Sequence, residues 1–447
     1  MNNNLDYIRK VLGFAIPLSA SSLVNVIVSF ASMFMVASLG EDQLAAAALA
    51  LPTFITFSMV LPIFYAVGIL ASHYRGQGKE HKEFGDLFKN GLWLAILLAI
   101  PTGLILWHAD HLLLLFGQDP KLVQLTRLNF HFAAFAIIPM LIGIVFMQFY
   151  TGIGHPRFSL ILSLITAPLT LFFAYALILG HFGFPKLELG GASCASMIAS
   201  SLVCIATLIY MKLSKKLKPY HLFSGSFLPN IQLCKTILFL GLPIGLQFFG
   251  ELGAMTVGTY FMGFFGPTAL AASQVVSQYA MLLVMLFLGL SQAMAILTSE
   301  AYGKNEISLV RHYLKASMTI LLMIFIFIAI FFFFTPRYLI QFFLSQSDIN
   351  NAYLTHLATV FFAVSVFGLF LDGLRNLYSG TLRGMHDSKV PMKINIMCLW
   401  FISLPLCYLI AFPLGGGPIG LRIGFIVGGY VLAAVLLGRR IYKKLKG

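Results

Sequence analysis

Charged residues are scarce in this chain, at 10% of its 447 positions, and Asp and Glu number 15 against 29 Lys and Arg. Soluble domains carry about 25% charged residues, so the composition excludes an ordinary soluble domain. Cysteine is also rare, and its five residues have neither paired extracellular spacing nor zinc or haem spacing. They indicate no disulfide framework and no metal centre, and we predict no cofactor. Apolar residues dominate instead, at 59% of the chain.

Long apolar stretches account for most of the sequence. A membrane-spanning helix needs about 20 predominantly apolar residues. Twelve stretches reach that length: 11–38, 44–73, 87–107, 122–152, 157–180, 189–212, 233–262, 268–300, 308–334, 352–382, 389–412 and 416–438. Strands of a membrane barrel would alternate polar and apolar residues over about ten positions, and these stretches do not. The sequence therefore predicts an all-α polytopic membrane protein with twelve transmembrane helices.

Basic residues alternate between successive loops of this predicted topology. The even-numbered loops and both tails contain 23 of the 29 Lys and Arg, whereas the odd-numbered loops contain five. Because cytoplasmic loops are enriched in Lys and Arg, we predict a multi-pass protein of the cell (inner) membrane with both termini in the cytoplasm. The basic loops are expected to contact anionic lipid headgroups. We expect a monomer that binds no nucleic acid, since no extramembrane domain is predicted.

The chain contains an internal repeat. LGFAIPLSASSLVN resembles LGLPIGLQFFGE, which aligns Pro17 with Pro243, and the other matched segments keep an offset of 226 to 228 residues. An even number of helices per repeat gives both copies the same orientation, related by a pseudo-twofold axis along the membrane normal. We predict an N-terminal six-helix lobe (1–220), a cytoplasmic linker (221–232) and a C-terminal six-helix lobe (233–447). Lobes of this kind favour transport of a solute by alternating access.

Two carboxylates, Glu251 and Asp372, lie deep inside apolar stretches of the C-terminal lobe. A charge at bilayer depth is costly, and such residues usually mark an ion or substrate pathway. The repeat aligns Asn25 with Glu251 and Ile144 with Asp372, so the acidic pair occurs in one lobe. A requirement of the fold would tend to occur in both copies. We therefore predict an ion-coupling site for H+ or Na+ at these carboxylates, with no catalytic residues.

Several polar residues accompany the two carboxylates. Arg375 follows Asp372 at i+3 on the same helix face, so a structural ion pair is the alternative role for this aspartate. Gln274 and Gln278 also share a helix face, where helix-bridging hydrogen bonds are the alternative to solute binding. The candidates for a polar or substrate cavity are Gln274, Gln278, Arg375, Gln247, Tyr378 and Asn25.

The segments LGLPIGLQFFGE, ASQVVSQ and LDGLRNLYSGTLRGMHDSKVP resemble the multidrug and toxic compound extrusion transporters, in particular the NorM-like branch. The resemblance implies a V-shaped exporter that exchanges H+ or Na+ for amphipathic, usually cationic drugs. Glu251 and Asp372 would then be the coupling-ion residues, with Gln274 as a nearby polar partner. Arg375 is a basic addition to this pattern.

Besides a channel, which is less favoured because repeats that move against each other suit a carrier better, two other functions are open. One is a lipid-linked precursor flippase of the same superfamily, which would need basic residues to bind a pyrophosphate. Arg375 is the only Lys or Arg that the sequence places deep in a span, so the flippase is less favoured. The other is a membrane-embedded enzyme, for which we find no HExxH and no Gly-x-Ser-x-Gly segment.

Overall fold

A computed structural model describes residues 2–215, 217–223, 228–335, 338–340 and 352–446, and these ranges contain no β-strand. The α-helices are α1 (Asn2–Ala37), α2 (Glu41–Phe57), α3 (Tyr65–Gln77), α4 (His81–Trp107), α5 (Ala109–Leu115), α6 (Pro120–Gly152), α7 (Arg157–Leu179), α8 (Leu189–Leu213), α9 (Ile231–Gly263), α10 (Pro267–Gly303), α11 (Ile307–Phe334), α12 (Ala352–Gly384), α13 (Lys389–Ile396), α14 (Leu404–Ala411), α15 (Gly417–Phe425) and α16 (Leu432–Lys446). Short 3-10 helices occupy Ser58–Phe64 and Lys218–Tyr220, and π-helical segments occupy Met397–Ser403 and Ile426–Val431.

Twelve continuous helical segments within the described ranges are long and apolar enough to cross a membrane. Three of them combine shorter elements. The segment Glu41–Gln77 contains α2 and α3, Lys389–Ala411 contains α13 and α14, and Gly417–Lys446 contains α15 and α16. The predicted number of spans and the all-α polytopic class are confirmed.

The chain divides into two compact units. One unit is Ala20–Gly245, and the other combines Met1–Ser19 with Leu246–Gly447. Both boundaries lie two residues beyond a repeat-related proline, Pro17 in α1 and Pro243 in α9. The boundaries therefore keep the offset of the sequence repeat, whereas the lobe and linker boundaries given above stay a prediction.

Small residues allow close helix contacts in the unit that contains Leu246–Gly447. On α12, a Cβ added to Gly384 would lie 2.5 Å from the carbonyl oxygen of Ala295 on α10. The Ser291 hydroxyl of α10 donates to the carbonyl oxygen of Asn376 on α12, at 2.6 Å. Small interface residues are the usual way in which membrane helices approach each other closely. These contacts fix the position of α12, which carries Asp372.

The other unit uses the same kind of contact between the repeat-related helices. A Cβ added to Gly152 of α6 would lie 2.7 Å from the carbonyl oxygen of Gly68 on α3. The Asn90 side-chain oxygen accepts a hydrogen bond from the backbone N–H of Asn230 at 2.7 Å, which ties α4 to the segment that precedes α9.

Candidate functional site

Glu251, Asp372 and Arg375 come together inside the unit that contains Leu246–Gly447. Glu251 lies on α9, and the other two lie on α12. All three are buried, with exposed fractions of 8%, 3% and 1%. Isolated charges are expensive at such burial, so their mutual contacts decide whether the arrangement is tolerated.

Arg375 bridges the two carboxylates. Its Nη1 donates to Glu251 Oε1 at 2.6 Å, and its Nη2 and Nε donate to Asp372 Oδ1 at 2.7 and 3.0 Å. Nη1 also donates to Asn395 Oδ1 at 2.8 Å, and the guanidinium carbon lies 5.5 Å from the centre of the Tyr430 ring. The ion pair expected within α12 is therefore present. The same guanidinium also binds Glu251, which lies on a different helix, α9.

Further polar side chains extend this network. Gln247 Nε2 donates to Glu251 Oε1 at 2.7 Å, and Gln247 Oε1 accepts from Arg383 Nη2 at 2.8 Å. Asn376 Nδ2 donates to Asp372 Oδ2 at 3.2 Å. We call Glu251, Asp372, Arg375 and Arg383 the carboxylate–arginine cluster. Its two acids and two arginines have a net charge of zero when all four are ionised.

The polar residues of α12 form a stripe along one helix face. Positions spaced by i, i+3, i+4, i+7 and i+11 share such a face. The stripe consists of Asp372, Arg375, Asn376, Ser379 and Arg383. Asn395, on α13, donates to Ser379 Oγ at 3.1 Å and extends the stripe to the next helix.

Several of these residues were not among the candidates predicted from the sequence. The apolar stretch 352–382 ends one residue before Arg383, so the sequence predicted that this arginine lies in the following loop. That prediction was wrong, because Arg383 lies in the last turn of α12 and is 4% exposed. Asn376, Ser379 and Asn395 were also missed. The spacing of polar residues within the span was the signal that could have revealed the stripe, whereas nothing in the sequence points to Asn395.

The remaining candidates lie elsewhere. Gln274 is exposed and Gln278 is half-buried on α10, and within the described ranges neither hydrogen-bonds to Glu251 or Asp372. Tyr378 packs against Leu382, Leu437 and Ile441. Asn25 is exposed and belongs to the unit Ala20–Gly245. Of the six polar candidates, the structure places Arg375 in the cluster and hydrogen-bonds Gln247 to two of its members, Glu251 and Arg383.

Glu251 is the member of the two-carboxylate pair that is more accessible to an ion. It has the larger exposed fraction of the two, 8% against 3%. Its Oε1 atom accepts two hydrogen bonds, and Oε2 accepts none from the part of the chain that the structure describes. A proton can therefore be added at Oε2 without displacing a donor. The same ranges contain no group of three or more His, Cys, Asp and Glu that could hold a metal ion. The Na+ site at Glu251 and Asp372 stays a prediction.

Comparison with protein families gives a match in both halves of the chain. The MatE family model matches residues 17–176 and again residues 243–409. The two matches begin at Pro17 and Pro243, which are the residues that the internal repeat aligns. Together they cover more than half of the sequence.

Known proteins with similar sequences and structures cover nearly the whole chain. The probable multidrug resistance protein NorM of Rhizobium meliloti (strain 1021) is 29% identical over 98% of this chain and 94% of its own. The NorM protein of Pseudomonas putida is 29% identical over 96% and 93%. Among solved structures, a multidrug resistance MATE family transporter in an outward-facing conformation has a TM-score of 0.86 at 18% identity, covering 98% of this chain and 96% of its own. The Vibrio cholerae MATE transporter VcmN in the bent form has a TM-score of 0.86 at 17% identity, covering 100% and 98%.

Proposed function

The chain belongs to the MatE family of multi-pass membrane transporters, and from this premise we propose that it is a secondary active antiporter. It exports amphipathic organic cations and takes up H+ or Na+ in exchange, by alternating access. The curated relatives are named as probable multidrug resistance proteins, which supports drugs as the class of solute. The carboxylate–arginine cluster is the observation on which the exchange mechanism rests.

Exchange requires that ion and solute bind to different extents in the two states of the site. The ionised cluster has no net charge, and adding one proton or one Na+ gives it a net charge of +1. Two unit charges about 5 Å apart, in an effective dielectric near 20, repel by roughly 3 kcal/mol. That repulsion weakens binding of a cationic solute on the order of a hundredfold. Loading the coupling ion therefore releases the solute, and losing the ion allows the next solute to bind.

The position of Arg375 favours H+ over Na+ as the coupling ion. The guanidinium already donates to an oxygen of both Glu251 and Asp372. A Na+ between these carboxylates would lie beside a fixed positive charge. A proton instead neutralises Glu251 and weakens its bond to Arg375, which keeps its two bonds to Asp372. The cluster has no excess positive charge that would favour the flippase.

The membrane and the orientation are part of the same proposal. We propose that the protein lies in the inner membrane with both termini in the cytoplasm, because the basic residues concentrate in the even-numbered loops and the tails. These loops would contact anionic lipid headgroups. We further propose that one chain is the functional unit.

The test is ethidium movement in proteoliposomes under an imposed pH gradient or an imposed Na+ gradient. Wild type is compared with Glu251→Gln and Asp372→Asn. The matched control is Asp110→Asn in the other unit. Asp110 is also a buried carboxylate, 7% exposed, and it contacts Arg127 Nε at 3.7 Å and His111 Nδ1 at 2.9 Å.

We expect wild type and Asp110→Asn to move ethidium under the pH gradient, and the two cluster variants to lose gradient-driven movement. Movement under the Na+ gradient instead would support the antiporter proposal with Na+, not H+, as the coupling ion. If wild type moves ethidium under neither gradient, export of organic cations is refuted. If Glu251→Gln keeps gradient-driven transport, the cluster is not the coupling site.

A further inference from the structure

Arg422 is another arginine inside a membrane-length segment, and the proposed exchange does not use it. It lies on α15, five residues after the segment Gly417–Lys446 begins. At a rise of about 1.5 Å per residue, this is roughly 8 Å inside the end of the span. Its side chain is partly exposed, and its guanidinium carbon lies 4.3 Å from the centre of the Phe361 ring.

Every hydrogen-bond acceptor of Arg422 within the described ranges is neutral. Nη1 donates to Ser365 Oγ at 2.7 Å, and Nη2 donates to the hydroxyl and the carbonyl oxygen of Ser273, each at 3.1 Å. Nε is buried and donates to no atom of those ranges. In the same unit, Arg375 forms ion pairs with two carboxylates, and Arg440 forms one with Asp387. Arg422 has no such counter-charge in the described part of the chain.

A guanidinium in this setting is suited to an anion. A buried charge is tolerated when it is paired and its donors are satisfied. Arginine has five N–H donors in a planar fork that matches the two oxygens of a carboxylate or a phosphate. The serines hold one side of the fork and the Phe361 ring lies against its face. These contacts fix the orientation of the guanidinium while Nε still has a proton to donate.

We propose that Arg422 is the centre of an oxyanion-binding site, with Ser273 and Ser365 as positioning residues. Its ligand is a carboxylate or phosphate group attached to an apolar body, because the site lies within an apolar span. That group can belong to an amphipathic solute or to a membrane phospholipid. The site goes beyond the proposed exchange of cations, which needs only the carboxylate–arginine cluster.

The experiment uses purified full-length protein in dodecyl maltoside, in buffer without phosphate. Naphthalene-1-acetate is the carboxylate probe, and naphthalene-1-acetamide is its neutral counterpart of nearly the same shape. Thermal unfolding is followed as each probe is titrated. Wild type is compared with Arg422→Gln, with Arg422→Lys, and with Arg439→Gln, which removes an exposed positive charge from α16. A second arm titrates dioleoylphosphatidylglycerol and counts bound lipid by native mass spectrometry.

If the ligand is a solute carboxylate, the acetate stabilises wild type and Arg439→Gln saturably and the amide does not. Arg422→Gln then binds the acetate at least roughly tenfold more weakly, as expected for the loss of a charge-assisted hydrogen bond. Arg422→Lys lies between, since it keeps the charge and loses the fork. If the ligand is a phospholipid, wild type retains one more lipid than Arg422→Gln and the acetate has no effect.

The proposal is overturned if neither probe class binds in a way that depends on Arg422. It is also overturned if acetate and amide stabilise wild type equally and lipid retention is the same in Arg422→Lys and wild type. These comparisons hold even if Arg422→Gln fails to fold. They are independent of ion-coupled transport, so failure here leaves the antiporter proposal intact.

Discussion

Replacing Arg375 with methionine would leave Glu251 and Asp372 as two buried carboxylates without their shared cation. The substitution removes three hydrogen bonds to carboxylate oxygens and one to Asn395. Removing one partner of a buried ion pair costs about 3–5 kcal/mol. Protonation limits the cost, because neutralising a carboxyl of ordinary pKa near 4 at pH 7 takes roughly 4 kcal/mol. We therefore expect Arg375→Met to lose about 3–5 kcal/mol of stability at pH 7.

Removing the charges of Glu251 and Asp372 as well is expected to restore part of the lost stability. In the triple variant Arg375→Met, Glu251→Gln, Asp372→Asn, Arg375 and both carboxylates that it binds are replaced by neutral side chains. Replacing a whole buried ion pair with neutral groups is often close to neutral for stability. The triple variant should therefore unfold at a higher temperature than Arg375→Met alone, although it carries two more substitutions.

Thermal unfolding of the purified proteins in one detergent, followed by intrinsic fluorescence, measures this order. Arg439→Met is the control for loss of an exposed arginine on α16, and it should unfold close to wild type. The reasoning is refuted if the triple variant is no more stable than Arg375→Met. That result would mean that Arg375 stabilises the unit by packing and not by neutralising the two acids.

Two further predictions concern the same unit. Burial tends to raise the pKa of Asp387, but hydrogen bonds from basic side chains of α16, Arg440 among them, outweigh burial and lower that pKa. A carboxyl whose pKa is lower in the folded protein stabilises the fold at pH values above its unfolded pKa of about 3.9, and this contribution is lost as pH falls through the folded pKa. The thermal stability of wild type should therefore exceed that of Asp387→Asn at pH 7, and this difference should shrink below about pH 4. A difference that does not change with pH would contradict the ion pair. Gly428→Ala should cost about 1–3 kcal/mol in thermal unfolding, because the new Cβ would lie 2.7 Å from Ser403 Cα. Gly143→Ala has no atom within 4 Å of the new Cβ and should be neutral or stabilising; equal losses in both variants would show that helix contact is not the cause.

The fold class was predictable because the bilayer imposes it. Apolar stretches of about 20 residues must be helices in lipid, and the twelve segments follow from length and composition alone. The internal repeat was equally visible, and the two family matches start at its aligned prolines, Pro17 and Pro243. Neither inference needs knowledge of how the helices pack.

The cluster was only partly predictable. The spacing within α12 predicted that Arg375 could pair with Asp372, because residues three apart meet on one helix face. The bond from Arg375 to Glu251 joins residues 124 positions apart, and it depends on how α9 packs against α12. Arg383 was assigned to a loop because its helix continues beyond the apolar stretch. Composition cannot locate the end of a helix that extends past its apolar stretch.

The central claim is that ion and solute compete for the carboxylate–arginine cluster. Ethidium binding to purified wild type, measured by fluorescence anisotropy across pH and across Na+ concentration, tests it most directly. The account predicts that the Kd of wild type rises as the coupling ion is added, with H+ as the expected ion. For the double variant Glu251→Gln, Asp372→Asn, it predicts an ethidium Kd that changes with neither ion. A wild-type Kd that changes with neither ion, or a double variant that responds as wild type does, would contradict it.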